Sequence, residues 1–400
     1  MRNRFHAGWH ELLIYLSDHP LALLLAEATR RFAVLHVSGI GYVVNDVEIA
    51  RDILEHEDGF SKTGPGSMGA MITQVVGGDA LMNMDGAPHR ALRAKLADLF
   101  SAAYLDTITT HVLAEATATL RGDLEAGRRV DLVRFMHLLS GKMICHMVGI
   151  QPPVTRRAET YLEIFDAGWR LTSPPGLLTT WLTPVQVTER RARFDRLASY
   201  ARDSFEGGRL DTDSVLHRLR ELGLAFEEVK PILAALLTVG TQTISAAVPR
   251  IIALLIDTGE MTRLRQHPEL LASAIDEGLR YTVPSPISVR SVAQDTVING
   301  HRFRQGRRVL ILTYNLMKQP RWSGRPRRFD ISRVQDRRIR HLWFGTGPHF
   351  CLGFHLAHRE IRAVLDVFIQ LPSEIRVARR RSARRVLVPG YACLEVELRR

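Results

Sequence analysis

The sequence predicts a mainly helical fold, in which a helix-rich lobe carries a small β-rich lobe. Apolar residues recur at helical spacing through residues 9–30, through most of 103–225 and along one run from about Phe226 to Asp257. Runs rich in β-branched residues are concentrated in about 31–60 and 283–312 and in hairpins of the C-terminal tail. With 400 residues and 46% hydrophobic content the chain can bury a large core, and one domain over residues 1–400 is expected.

Pro20 should break the first helix, because its ring cannot continue one. Phe32 to Val37 and Ile40 to Val44 form β runs around Ser38-Gly39, a hairpin signal, and a short helix follows near Val47 to His56. Ser61 to Met71 is rich in glycine and methionine and reads as an adaptable lid over an apolar ligand. Asp85 should cap the helix that Gly86-Ala87-Pro88 opens. On that helix His89 and Arg93, four apart, share a face that suits a carboxylate.

Residues 103–225 are broken at Gln151-Pro152-Pro153 and around Thr172 to Gly176, and Tyr161, Phe165 and Trp169 recur at core spacing. The long helix that follows is apolar except at Thr241-Gln242-Thr243, beside Gly240, which weakens it. Those hydroxyls either bond back to carbonyls one turn earlier or mark a widened turn that holds small polar ligands. Pro249 sets a helix breaker two turns later. Glu277 and Arg280 are three apart on the next helix, a spacing worth little on a surface. Pro284 to Arg290 then runs extended, and the tail alternates strands and turns, with Arg379 to Arg381 on a solvated hairpin.

All of this is organised around Phe344-Gly345-Thr346-Gly347-Pro348-His349-Phe350-Cys351-Leu352-Gly353. Glycines flank a lone cysteine, and helical spacing predicts a tight loop with a helix from Cys351 onward. Free amides and the dipole at a helix N-terminus favour a thiolate, and a soft thiolate suits iron. Two other readings stand beside this one. Cys351 can be a small buried hydrophobe, or it can join His355 and His358, at i+4 and i+7, in a zinc site. Neither accounts for the glycines of the loop.

Three scattered cysteines, Cys145, Cys351 and Cys393, argue against a disulfide framework and for a reducing compartment. The N-terminal apolar run is interrupted at Ser17 to Pro20, so neither half reaches the length of a membrane span, and a cytoplasmic protein is expected. The net charge of +12 is not joined by a nucleic-acid-binding motif, and a basic patch near the cysteine is better matched to an acidic protein partner.

The order Phe-Gly-x-Gly-x-His-x-Cys-x-Gly resembles the haem-binding loop of the cytochrome P-450 superfamily, the haem-thiolate monooxygenases. The likeness extends from about Phe32 to the end, through the His89-x-x-x-Arg93 helix, Glu277-x-x-Arg280 and Val239-Gly240-Thr241-Gln242-Thr243. It implies a triangular fold and haem b with Cys351 as axial ligand. His89, Arg93, Arg290 and His349 would hold the propionates, and Phe344 and Gly353 would also bind the cofactor. Glu277, Arg280 and Arg328 would support the loop, while Thr243 with Gln242 would handle oxygen. Met68, Met71, Met82, Val239, Val283, Ile287 and Tyr391 are the candidates for the substrate cavity, with residues 160–185 as a second lid.

The activity implied is insertion of one oxygen atom from O₂ into a small, largely apolar substrate, by a monomer without a membrane span. Electrons would come from an acidic ferredoxin, served by its reductase and docked on Arg90, Lys95, Arg359 and Arg362. Gln242 departs from the family's acid and Val239 from its alanine. An amide cannot shuttle a proton as a carboxyl does, so diverted oxidation (ring coupling, desaturation or peroxide-driven chemistry) is the alternative, with a non-catalytic haem-based sensor as a third.

Overall fold

The computed structural model describes residues 3–77, 80–172, 181–207, 210–384, 386 and 388–399. Its axis is the 33-residue helix Phe226–Thr258, about 50 Å long. The helices Leu132–Val148, Arg157–Thr172, Leu271–Thr282 and Phe354–Gln370 pack around it. Its length and composition would suit a membrane span, but most of it lies inside the protein. Pro249 does not break this helix, and no widened turn interrupts it at Gly240. An interior proline costs about 3 kcal/mol. Ile251, Ile252, Leu254 and Leu255 follow it fully buried, and at about 1.5–3 kcal/mol each their burial outweighs that loss.

The mainly helical prediction holds, and the strands fall where they were expected except Val130–Asp131, which lies in the stretch read as helical. Five strands order as Val34–Val37, Gly41–Val44, Arg308–Ile311, Ser288–Val292 and Phe60–Ser61. Gly41–Val44 runs parallel to Arg308–Ile311, and the remaining pairs are antiparallel. Val130–Asp131, Tyr391–Leu398 and Ile375–Ser382 form a second sheet, and Thr296–Ile298 pairs with His301–Phe303. At the N-terminus the helices Asn3–Asp18 and Pro20–Thr29 meet at a sharp bend, as Pro20 requires.

The stretch Ser61 to Met71 is more ordered than its glycines suggest. Ser67 accepts a hydrogen bond from the Ala70 amide at 3.2 Å and caps a helix, Met68–Val76, in which Met71 is fully buried. Gly69 serves close packing there, since a Cβ would come within 2.2 Å of the Lys62 carbonyl oxygen. Of the proposed second lid, the helix Arg157–Thr172 and the start of Pro184–Glu206 are in place. Residues 173–180 and the side chain of Trp169 lie outside the described residues.

Candidate active site

The helix after the cysteine begins at Phe354, three residues later than its spacing predicted. Gly347-Pro348-His349 forms a short 3₁₀ turn, and the Cys351 amide donates to the Phe344 carbonyl at 3.0 Å, so the loop closes on itself before the helix starts. Gly345 and Gly347 have φ of 77° and 68°, a region other residues enter at a cost. At Gly347 a Cβ would also press to 2.9 Å from the Leu54 carbonyl. Thr346 donates to Glu55 at 2.8 Å, and Arg93 donates to the Phe350 carbonyl at 2.6 Å. Phe344, Phe350 and Phe354 form an aromatic base, although Phe344 is half-buried rather than enclosed.

Around this loop the charges are unbalanced. Lys62, His89, Arg93, Arg290 and His349 gather near Cys351, and two acids face them: Asp85 and, beside the two imidazoles, Glu57, which Arg90 holds. Burial, then the neighbouring Arg290, pulls the Lys62 ammonium down to about 7. Burial holds His89 and His349 down at about 4 and draws Arg290 down to about 10. His89 is 1% exposed, and its Nδ1 has no hydrogen-bond partner. With both imidazoles held neutral, Arg90, Arg93, Arg290 and Lys62 still outnumber the carboxylates of Asp85 and Glu57, so the enclosure is short of negative charge. A group carrying two carboxylates supplies it, so the residues present fit haem.

Asp85 does not cap its helix. It accepts from Ser61 Oγ at 2.6 Å, the Lys62 amide at 3.0 Å and Thr63 Oγ1 at 3.0 Å, and faces His349 Nε2 at 3.1 Å. These bonds outweigh the opposing effect of burial and hold its carboxyl far below the usual range. Asp85 thus pins the 61–64 turn to the cysteine loop, and the rings of His349 and His89 lie 4.0 Å apart beside it.

Cys351 itself is half-buried. Burial pushes its thiol upward, against the Gly353 amide and the charges of Arg93 and Lys62, which favour the thiolate. The zinc reading finds no support in the geometry. His358 turns to Asp276 and the Phe354 carbonyl, and among the described residues no cluster of metal-ligating atoms includes Cys351.

On the long helix, Thr241 bonds back to the Leu237 carbonyl at 3.3 Å, and Ser245 to that of Thr241 at 2.7 Å. Gln242 is 5% exposed, and its Nε2 has no partner. Thr243 is half-buried, whereas Gly240 is exposed although its turn lies within the protein. The expected back-bonding therefore accounts for Thr241, and a buried amide beside it keeps a free donor.

Glu277 and Arg280 are fully buried and paired at 2.7 and 2.9 Å. The expected third member, Arg328, is not their partner: its side chain is 42% exposed and lies 3.6 Å from Asp330. Arg333 takes that place, donating to Glu277 Oε2 at 3.0 Å and to the Arg325 and Arg328 carbonyls at 3.0 and 2.7 Å. Gln335 and the Asp330 amide, both at 3.0 Å, complete the shell. Several arginines fall within a few residues here, and spacing alone did not separate them.

Of the cavity candidates, Met68 and Met82 are partly buried against the main core, and Val283 is fully buried at the left-handed end of its helix (φ 40°). Ile287 packs against the smaller cluster of Tyr15, Leu310 and Tyr314. Tyr391 is buried near Arg380, and the preceding turn is held on the long helix by a 2.9 Å bond from Arg250 to the Pro389 carbonyl. The side chain of Val239 lies outside the described residues. Among the basic residues, Arg90 pairs with Glu57, and Arg359 pairs with Asp106 at 2.5 Å. Lys95 and Arg362 are exposed.

The chain is similar to known proteins. The family described as Cytochrome P450 matches residues 256–371, which include both the Glu277 pair and the cysteine loop. The cytochrome P450 YjiB of Bacillus subtilis is 28% identical over 302 residues, covering 73% of each chain. The mycinamicin VIII C21 methyl hydroxylase of Micromonospora griseorubida is 27% identical over 309 residues, 77% of this chain and 76% of that one. Among solved structures, the cytochrome P450 enzyme CYP109B1 from Bacillus subtilis superposes with a TM-score of 0.78 at 22% identity, covering 96% of this chain and 100% of that one.

Proposed function

We propose that this chain, which belongs to the cytochrome P450 superfamily and is a haem-thiolate monooxygenase, hydroxylates or epoxidises a small, largely apolar molecule with electrons from an acidic ferredoxin and its reductase. The observation that carries the reading is the closed loop presenting Cys351 inside an enclosure short of negative charge. Haem b held there by the Cys351 thiolate would supply the iron at which O₂ is activated.

The side chains have separable tasks in this reading. His89, Arg93 and Arg290 receive the two carboxylates, and His349 shares itself between them and Asp85. Phe344 and Gly353, the latter next to the sulfur, contact the cofactor. Thr243 and the free amide of Gln242 hold water where protons are needed, because neither can act as an acid by itself. Met68, Met71, Met82, Val239, Val283, Ile287 and Tyr391 remain the proposed contacts to substrate. Glu277, Arg280 and Arg333 hold the loop from below. The chain acts as one domain over residues 1–400 and as a monomer, and a cytoplasmic location agrees with three free cysteines.

Product formed per NADH consumed tests the proton path. Thr243→Ala should lower it about tenfold or more and release hydrogen peroxide instead, since a positioned proton carrier contributes about 10²–10⁴ in rate. Gln242→Glu should leave coupling intact or improve it. The amide in place of an acid also favours a second reading, in which the substrate itself assists or the oxidation is diverted. Unchanged coupling in Thr243→Ala, with damage from Gln242→Glu, would select that reading.

The docking face gives another expected result. Arg90 and Arg359 already hold acids, so the exposed Lys95 and Arg362 should contribute most of the attraction. Reduction by the ferredoxin should slow steeply with salt, because charges are screened over about 10 Å at 0.1 M. Lys95→Glu with Arg362→Glu should slow it about tenfold at low salt. A rate and salt slope left as they were would place the partner elsewhere.

A further inference from the structure

Away from the cysteine loop, two imidazoles are aimed at one carboxylate oxygen. His358 Nε2 lies 3.5 Å and His341 Nε2 3.6 Å from Oδ1 of Asp276. These residues come from three elements: the helix Leu271–Thr282, the segment before Phe344 and the helix Phe354–Gln370. Both separations are at or beyond the limit of a hydrogen bond. They are close to the edge of a tetrahedral zinc site, where ligands about 2.0–2.1 Å from the metal stand about 3.4 Å apart.

The protonation pattern points the same way. His358 Nδ1 lies 3.0 Å from the Phe354 carbonyl, which accepts only if that nitrogen carries the proton. In the neutral ring Nε2 is then a lone pair facing a carboxylate, an unfavourable meeting unless a cation lies between them. A second atom of the imidazole bonded to a backbone carbonyl is also how metal-binding histidines are oriented. His341 takes a left-handed conformation, with φ of 65°, a region that histidine enters more readily than most residues, and its Nε2 faces the same oxygen. Arg340 holds the other oxygen, Oδ2, at 3.1 Å and leaves Oδ1 free for a single bond. The two histidine side chains are 27% and 26% exposed, so water can complete the coordination.

We propose that Asp276, His341 and His358 bind a divalent transition ion of the zinc type, through two imidazole nitrogens and one carboxylate oxygen. The ion ties the helix bearing Glu277 to both sides of the cysteine loop.

The test uses the full-length haem-loaded protein without a histidine tag, titrated with Zn²⁺ against a chelating indicator. One equivalent should bind and raise the melting temperature. His341→Asn, which tolerates the left-handed backbone, and His358→Gln should each weaken binding about tenfold or more, since even an outer partner of a ligand is worth about 10–100-fold. Wild-type crystals soaked in zinc should show an anomalous peak between the three side chains, a result independent of how the variants fold. Unchanged affinity in both variants, or a zinc peak only elsewhere, overturns the proposal.

Discussion

Replacing Glu277 by alanine should cost about 3–5 kcal/mol of stability, because it leaves a buried guanidinium with no counter-charge. Arg280 is fully buried, and its other bonds go to the neutral carbonyls of Met317 and Pro326. Arg333→Ala should cost less, about 2–3 kcal/mol, as Glu277 keeps Arg280 while losing one charged hydrogen bond. Arg328→Ala should stay within about 0.5 kcal/mol, since its side chain is at the surface and only its backbone carbonyl receives Arg333. Urea unfolding of the haem-loaded protein ranks the three. Equal losses from Arg328→Ala and Arg333→Ala would show that the network described here is wrongly assigned.

That contrast also marks what a sequence can disclose. The helix Phe226–Thr258 and the first hairpin were legible because burial imposes a period on the residues themselves. The cysteine loop was legible because its glycines answer local needs of the backbone. Arg333 was not, because Arg325, Arg327, Arg328 and Arg333 are the same residue type, and only the path of the chain decides which one reaches Glu277. Asp85 was misread for a similar reason. Its place before a helix is a capping position, yet Ser61, Lys62 and Thr63 from another turn and His349 from the cysteine loop compete for its oxygens and win. Gly69 carried the opposite meaning to the one expected, since close contact with Lys62, invisible in the sequence, removes the freedom that glycine suggests. The site residues that spacing missed are those whose partners are distant in the chain.

The largest spectral change expected is from Cys351→His. Reduced wild-type protein with carbon monoxide should show the strongly red-shifted Soret band of a thiolate-bound haem, and the histidine variant should lose it. The reasoning lies in the surroundings of the sulfur. Burial opposes its ionisation, while the Gly353 amide, Arg93 and Lys62 favour the anion, so the pocket is arranged for a negatively charged ligand, where a neutral imidazole leaves those cations unbalanced. Haem content should therefore fall in the variant as well as the band shifting, and Lys62→Met should recover part of that content by removing one of the unbalanced charges. A wild-type complex lacking the shifted band would remove Cys351 as the ligand. A histidine variant that holds haem as tightly as wild type, with no gain from Lys62→Met, would show that the cationic enclosure serves the carboxylates alone and contributes nothing to the sulfur.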